Sequence, residues 1–277
     1  MTRAKIDMIW DLETIQDREL LDVDFPRDKF AHPLAHEIVA ISVATFKRDA
    51  FPSDEILEIQ SLGSARGNEV EMLSGFVKFM EKKRPRLVGF NSRGFDLEVI
   101  KYRCFKHGIQ FPTYFQTGTK WDSYRSRYSA DWHLDIMDFL SSYGASQKFS
   151  LDLASRAIGS PGKIGISGSD VGRYFLEGRH DEIRDYCEVD VVETSALMLR
   201  LFHLTGELST NGFKKSAEIF LDFLHKEALE KPHIQEFLDL LDHDRFKGVQ
   251  MSLEDNINQG ASNTVTKFPK ATHRESL

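Results

Sequence analysis

Ile6-Asp7-Met8-Ile9-Trp10-Asp11-Leu12-Glu13-Thr14 is an apolar run that delivers two carboxylates, Asp11 and Glu13, two positions apart. In a β-strand residues i and i+2 point to one face, so both acids project from the same side of the strand's end. Two like charges held there repel unless they are protonated or share a cation. Hard divalent ions such as Mg²⁺ and Mn²⁺ are bound mainly through carboxylate oxygen. A turn-capping Asp beside a solvated Glu would look the same, so the pair acquires meaning only if further acids join it.

Around this stretch the chain has 277 residues, 41% of them hydrophobic, enough for one substantial core plus an appendage. No apolar run approaches the ~20 residues that span a bilayer, and Met1 to Lys5 leads straight into the strand without a signal-peptide core. The expected setting is the cytoplasm, with no membrane partner. Cys104 and Cys187 lie far apart with no CxxC partner, which argues against a disulfide framework or a structural zinc site and makes both reduced core residues. A net charge of −7 disfavours coating nucleic acid by bulk electrostatics, but it leaves room for an enzyme with a local basic groove.

Two more strands are expected at Glu37 to Phe46, rich in β-branched residues, and at Ile56 to Ile59 after a Pro-Ser turn. With the first strand they make an antiparallel meander, and the charged stretch Ile15 to His36 becomes a surface loop. Apolar residues recur at helical spacing from Val70 to Met80, and Pro85 closes that helix. Arg86 to Asn91 reads as a short buried strand, and Ser92-Arg93-Gly94 leads into a helix from about Phe95 to His107 with Asp96 at its start. A helix N-terminus favours a carboxylate there for local reasons too.

Phe111 to Trp132 interleaves Tyr114, Phe115, Trp121, Tyr124, Tyr128 and Trp132 with Lys120, Arg125 and Arg127. Rings that stack on bases and cations that meet phosphates suit a single-stranded nucleic acid, while a packed hairpin with a solvated basic rim would look alike. His133-Leu134-Asp135 reads as a strand running into a helical turn, and Ser150 opens another helix. In Gly159-Ser160-Pro161-Gly162-Lys163-Ile164 two residues separate the glycines where a Walker loop has four, and Ile164 stands where its Ser or Thr would be, so a nucleotide triphosphatase is rejected.

The helix from about His180 to Leu204 carries Tyr186 and Asp190 one turn apart on one face. An Asp in so apolar a helix needs a cation or hydrogen-bond partner, whereas Glu188 and Glu193 read as solvated. Two amphipathic helices, Gly212 to Leu229 and Pro232 to His243, follow, and they could pack on the preceding domain or pair with a second subunit. The polar stretch 247–277 reads as a mobile tail. The resulting division is 1–208, 209–246 and 247–277.

Taken together and in order, Trp10-Asp11-Leu12-Glu13-Thr14, then Asn91-Ser92-Arg93-Gly94-Phe95-Asp96, then Tyr186-Cys187-Glu188-Val189-Asp190 resemble the three motifs of the DEDDy 3′-5′ exonucleases. The chain looks closest to the stand-alone bacterial proteins related to the exonuclease domain of family B DNA polymerases. The Asn-x-x-x-Phe-Asp form of the second motif supports this, as do His133-Leu134-Asp135, Tyr143-Gly144-Ala145, Ser150-Leu151 and Gly162-Lys163.

The resemblance covers roughly Lys5 to Leu204 and implies an α/β, RNase H-like fold. That fold has a central mixed five-stranded sheet, three strands antiparallel and the rest parallel, flanked by helices, with a C-terminal helical appendage. It further implies two divalent ions, Mg²⁺ or Mn²⁺, held by Asp11, Glu13, Asp96 and Asp190, with Tyr186 orienting the attacking water. Leu12, Asn91, Phe95, Trp121, Tyr124, Arg125 and Arg127 are the candidate substrate-binding residues. The implied substrate is single-stranded nucleic acid, DNA before RNA. The alternatives are an RNA exonuclease of the same chemistry and a non-catalytic binding module on the same fold. Gln250-Met251-Ser252-Leu253 resembles the first part of a sliding-clamp-binding peptide, although Glu254 stands where such peptides carry a large apolar residue.

Overall fold

A computed structural model describes residues 4, 6–26, 29–47, 55–64 and 68–247. In chain order its strands are β1 (Ile6–Gln16), β2 (His36–Lys47), β3 (Glu55–Ser61), β4 (Arg86–Gly89) and β5 (His133–Asp135). The helices are α1 (Glu69–Lys83), α2 (Asp96–His107), α3 (Pro112–Gln116), α4 (Ile136–Leu140), α5 (Leu151–Ala157), α6 (Val171–Leu176), α7 (His180–Thr205), α8 (Thr210–Glu227), α9 (Pro232–Leu240) and α10 (His243–Lys247). None of the described helices is long and apolar enough to cross a membrane.

The five strands form one mixed sheet in the order β3-β2-β1-β4-β5. β1 and β2 are antiparallel, as are β2 and β3, while β4 runs parallel to both β1 and β5. This is the RNase H-like arrangement.

β1 is central and buried from both sides, which explains its near-continuous apolar run. Met8, Trp10 and Leu12 face the layer of α1 and α2, packing with Leu73, Phe76, Leu97 and Ile100. Ile9, on the opposite face, joins Val88, Val191, Leu199, Phe213 and Phe220 under α7 and α8. The alternation sorts β1's acids onto the α7 side.

The C-terminal helices pack on this same layer. Phe213, Phe220 and Leu224 of α8 and Phe237 of α9 are buried in the cluster that contains Ile9 and Val88. Glu227, Lys231 and Glu188 link the α8–α9 corner to α7 through ion pairs at 2.9 and 3.2 Å. Cys104 and Cys187 are both free and buried.

Candidate active site

β4 pairs with β1 only over Asp7 to Ile9, so Asp11 and Glu13 emerge just past the paired segment, at the carboxyl end of the parallel strands. The β1–β2 register shifts between Glu13 and Thr14, a bulge of the kind that re-aims side chains beside a site. α7 crosses this face and brings Asp190 in. Carboxylate oxygens of Asp11, Glu13 and Asp190 all lie within 4.8 Å of one another, and the Asp96 charge is felt at both Asp11 and Glu13. The four acids of the sequence motifs thus come together from β1, α2 and α7.

A specific local fold delivers Asp96. Gly89 ends β4 where a Cβ would stand 2.4 Å from the Ser92 Oγ, so only glycine lets the chain fold back there. Asn91 adopts φ +58°, a left-handed conformation that Asn tolerates better than most residues. The buried Asp135 carboxylate then accepts backbone N–H groups from Asn91 at 3.0 Å, Arg93 at 2.9 Å and Asp138 at 3.1 Å, fastening the β4–α2 loop to the end of β5. Asp96 is the first residue of α2, and the Leu12 backbone N–H supports its carboxylate.

The electrostatics are those of a crowded anion cluster. Burial, then the neighbouring Asp96, Asp190 and Glu13 charges, push the Asp11 carboxyl far above the usual range, and burial with Asp190 and Asp96 does the same to Glu13. Asp96 and Asp190 are each pushed up to about 7, chiefly by burial. Against this stand the backbone N–H groups of Asp96 and Leu12 on the Asp96 carboxylate, the Cys187 thiol on Asp11, the Tyr186 hydroxyl on Asp190, and the Lys163 charge near Glu13 and Asp190. Tyr186 is itself held protonated by burial and by the surrounding acids. The Cys187 thiol, packed against Asp11, lies 3.4 Å from its carbonyl oxygen, and burial keeps it a thiol.

An all-oxygen donor set this close, charged only at a cost, fits a hard divalent cation. Bound cation charge would reverse the repulsion that raises these acids.

Other expected site residues fall in different places. Tyr124 is fully buried and donates its hydroxyl to the Pro85 carbonyl at 2.6 Å, so it offers no ring face to a ligand. Tyr114 is buried as well, and Trp132 is partly buried with its indole N–H on Asp122 at 2.7 Å; half of the expected aromatic patch is core. The Leu12 side chain packs into the α1–α2 layer, which leaves only its backbone at the site.

Trp121 is 80% exposed, with the Lys120 ammonium 4.9 Å from its ring centroid. Arg125 and Arg127 line a cavity of about 390 Å³ together with Asn91, Arg93 and Lys148, beside the second-motif loop. Phe95 packs edge-on against His36 at 5.0 Å. Gln250 to Leu253 lie outside the described residues.

Glu188 and Glu193, expected in solvent, are both buried. Glu188 accepts from the Ser61 hydroxyl at 2.8 Å and from His233 Nε2 at 3.1 Å. Glu193 accepts the Gly162 N–H at 2.8 Å, and burial raises its carboxyl to about 7. Lys163, in the loop rejected as a phosphate loop, is a cation whose field reaches Glu13 and Asp190; the Gly162-Lys163 stretch carried the family resemblance but did not mark Lys163 as a site residue. Asp135 is the other site residue whose role the sequence did not expose.

A profile of the family described as predicted 3′-5′ exonucleases related to the exonuclease domain of PolB matches residues 28–241. A putative DNA polymerase of frog virus 3 (isolate Goorha) is 22% identical over 178 residues, covering 57% of this chain and 18% of the polymerase. The chain therefore spans less than a fifth of the curated relative it matches.

Proposed function

The chain belongs to the family of predicted 3′-5′ exonucleases related to the exonuclease domain of PolB, and from that premise we propose that it shortens single-stranded DNA from its 3′ end as a DEDDy-type, metal-dependent hydrolase. The observation that carries the reading is the convergence of Asp11, Glu13 and Asp190 within 4.8 Å, with Asp96 electrostatically joined to them. Asp11, Glu13, Asp96 and Asp190 would hold Mg²⁺ or Mn²⁺. Such ions, when bound, supply activation of water and stabilisation of the charge that develops at phosphorus and the leaving oxygen.

The chain's own groups do the rest. Tyr186, kept protonated and donating its hydroxyl to Asp190, offers its oxygen as an acceptor to the attacking water and so positions the water instead of removing its proton. Lys163 is placed to meet the scissile phosphate. Asn91, Arg125, Arg127 and the cavity beside them receive phosphates of the strand further along, and Trp121 offers a stacking face. DNA is favoured over RNA because both comparisons name DNA polymerases or PolB. A cytoplasmic setting accords with the two free cysteines. Residues 1–208 would carry the chemistry and 209–246 brace it.

The test is a digestion of 5′-labelled DNA and RNA single strands, each with a 3′-hydroxyl, in Mg²⁺ or Mn²⁺. The expected result is a ladder of shortened DNA with release of nucleoside monophosphates, and a kcat roughly 10- to 100-fold lower in Tyr186→Phe with KM unchanged. Digestion of RNA alone would move the substrate to RNA, and no digestion of either would leave a binding module.

A further inference from the structure

The loop from Gly159 to Lys163 is fastened by its backbone along most of its length. The Gly159 carbonyl accepts the Asp242 N–H at 2.9 Å, and the Ser160 N–H donates to the Ser155 carbonyl at 3.0 Å. Further on, the Gly162 N–H donates to the Glu193 carboxylate at 2.8 Å and the Lys163 N–H to the Asp152 carboxylate at 3.2 Å. Gly162 has φ +78°, and a Cβ there would stand 2.5 Å from Asp152 Oδ1, so both the conformation and the space call for glycine. The one long side chain that leaves this frame is that of Lys163. It is exposed, and its charge is felt at both Glu13 and Asp190.

Among these anchors Glu193 is an acid placed where burial makes an acid costly. It is 1% exposed, and burial is the main reason its carboxyl rises. An apolar residue would fill that position of α7 at no such cost. The buried Ser155 and Ser160 hydroxyls ease its charge, and its Oε1 takes the Gly162 N–H. Glu193 follows Asp190 by three positions, and residues so spaced are neighbours on a helix surface. α7 thus presents one carboxylate to the acid cluster and, beside it, a second to the backbone of the loop whose cation reaches that cluster. Asp152 supplies the matching hold from α5: Oδ1 takes the Lys163 N–H, while Oδ2 accepts from Arg156 at 2.7 Å.

We propose that Glu193 and Asp152 are positioning residues for Lys163: by fixing the backbone of Gly162 and Lys163 from α7 and α5, they set where its ammonium stands relative to the acids and so to the scissile phosphate. This rests on the exonuclease reading given above, in which Lys163 meets that phosphate. A cation fixed before the substrate arrives stabilises developing charge without reorganising during the reaction. Both carboxylates are engaged by the loop and act through Lys163, not on the reacting atoms.

The test is a pair of double-mutant cycles in steady-state digestion of single-stranded DNA with Mg²⁺, with kcat taken per folded molecule from each variant's melting curve. Lys163→Ala is expected to lower kcat roughly 100-fold. Glu193→Leu and Asp152→Ala should each lower kcat in the Lys163 background and cost nothing further once Lys163→Ala is present. Glu193→Gln, whose amide oxygen can still accept the Gly162 N–H, should keep the wild-type kcat. A role confined to stability would leave kcat per folded molecule unmoved, and a role independent of Lys163 would multiply onto the Lys163→Ala loss; either result, or an unchanged kcat in Lys163→Ala, would overturn the proposal. Should Glu193→Leu fail to fold, the cycle on the partly exposed Asp152 decides alone. A wild type inactive on every strand would instead overturn the exonuclease reading.

Discussion

Asp7 and Asp11 stand on the same face of β1, four residues apart, yet their surroundings could hardly differ more. Asp7 is fully buried and clasped by Arg86, whose Nε and Nη2 donate at 2.7 and 2.9 Å, while the same guanidinium lies 4.6 Å over the Phe202 ring. Asp11 meets Glu13, Asp96 and Asp190 instead, and among the described residues no arginine answers them. One end of the strand's face is neutralised from within, and the other is built so that a cation from outside must do it. Buried charge is expensive in either place, so the unneutralised cluster marks where function has displaced stability.

The comparison can be broken first at Asp11. Asp11→Asn should lower kcat by about 10³-fold or more, corresponding to several kcal/mol of lost transition-state stabilisation, in steady-state digestion of single-stranded DNA. In EDTA the same variant should melt higher than wild type, because one repelling charge is gone. Asp7→Asn should do the reverse: stability falls by about 3–5 kcal/mol in urea titration, since Arg86 loses the carboxylate that accepts from its Nε and Nη2 and Glu207, 3.5 Å from Nη1, does not replace it, while kcat per folded molecule is retained. If both substitutions acted alike, the two ends of β1 would be equivalent and the distinction would fall.

A third effect sharpens the contrast through pH. Asp96 and Asp190 keep their protons up to about pH 7 in the folded state and lose them near pH 4 when unfolded. Between those values the folded state binds more protons, so stability in EDTA declines as pH rises from about 4 to about 7. A scan of melting temperature should show this decline, at about 2–4 °C per kcal/mol for a chain of this size. It should persist in Asp7→Asn, shrink in the Asp96→Asn/Asp190→Asn pair, and reverse on adding Mg²⁺, which binds the ionised form.

Much of this was readable from residues because the signals were local. The apolar run of Ile6–Thr14, the helical period from Val70 to Met80 and the Pro85 stop each follow from one element's own geometry. The acids were readable because carboxylates in apolar strands and helices need a reason to be there.

Tyr124, Glu188 and Glu193 were not readable, for a shared reason. Beyond its first turn α7 is covered on nearly every side, by the sheet, by α8 and α9 and by the loop around Gly162, so Glu188 and Glu193 meet protein where the pattern led solvent to be expected. Tyr124 lies in an aperiodic stretch, where nothing in the local pattern tells an inward ring from an outward one. Lys163 acts through the charge it brings near Glu13 and Asp190, and Asp135 through its carboxylate on the N–H groups of the β4–α2 loop, and spacing reveals neither.

The two glutamates that escaped the sequence have a mechanical consequence. Successive residues of a helix leave its axis 100° apart, so Glu188, Asp190 and Glu193 point in three separate directions. The first is latched to Ser61 and His233 and the last to Gly162, while Arg184 grips the carbonyls of Ser61, Leu62, Gly63 and Ser64. α7 is thereby locked against rotation about its own axis. A twist of only 10–20°, enough to spoil a catalytic constellation, would break latches well removed from the substrate. The angular setting of Asp190 is therefore decided as much by α9 and by the end of β3 as by the acids it faces.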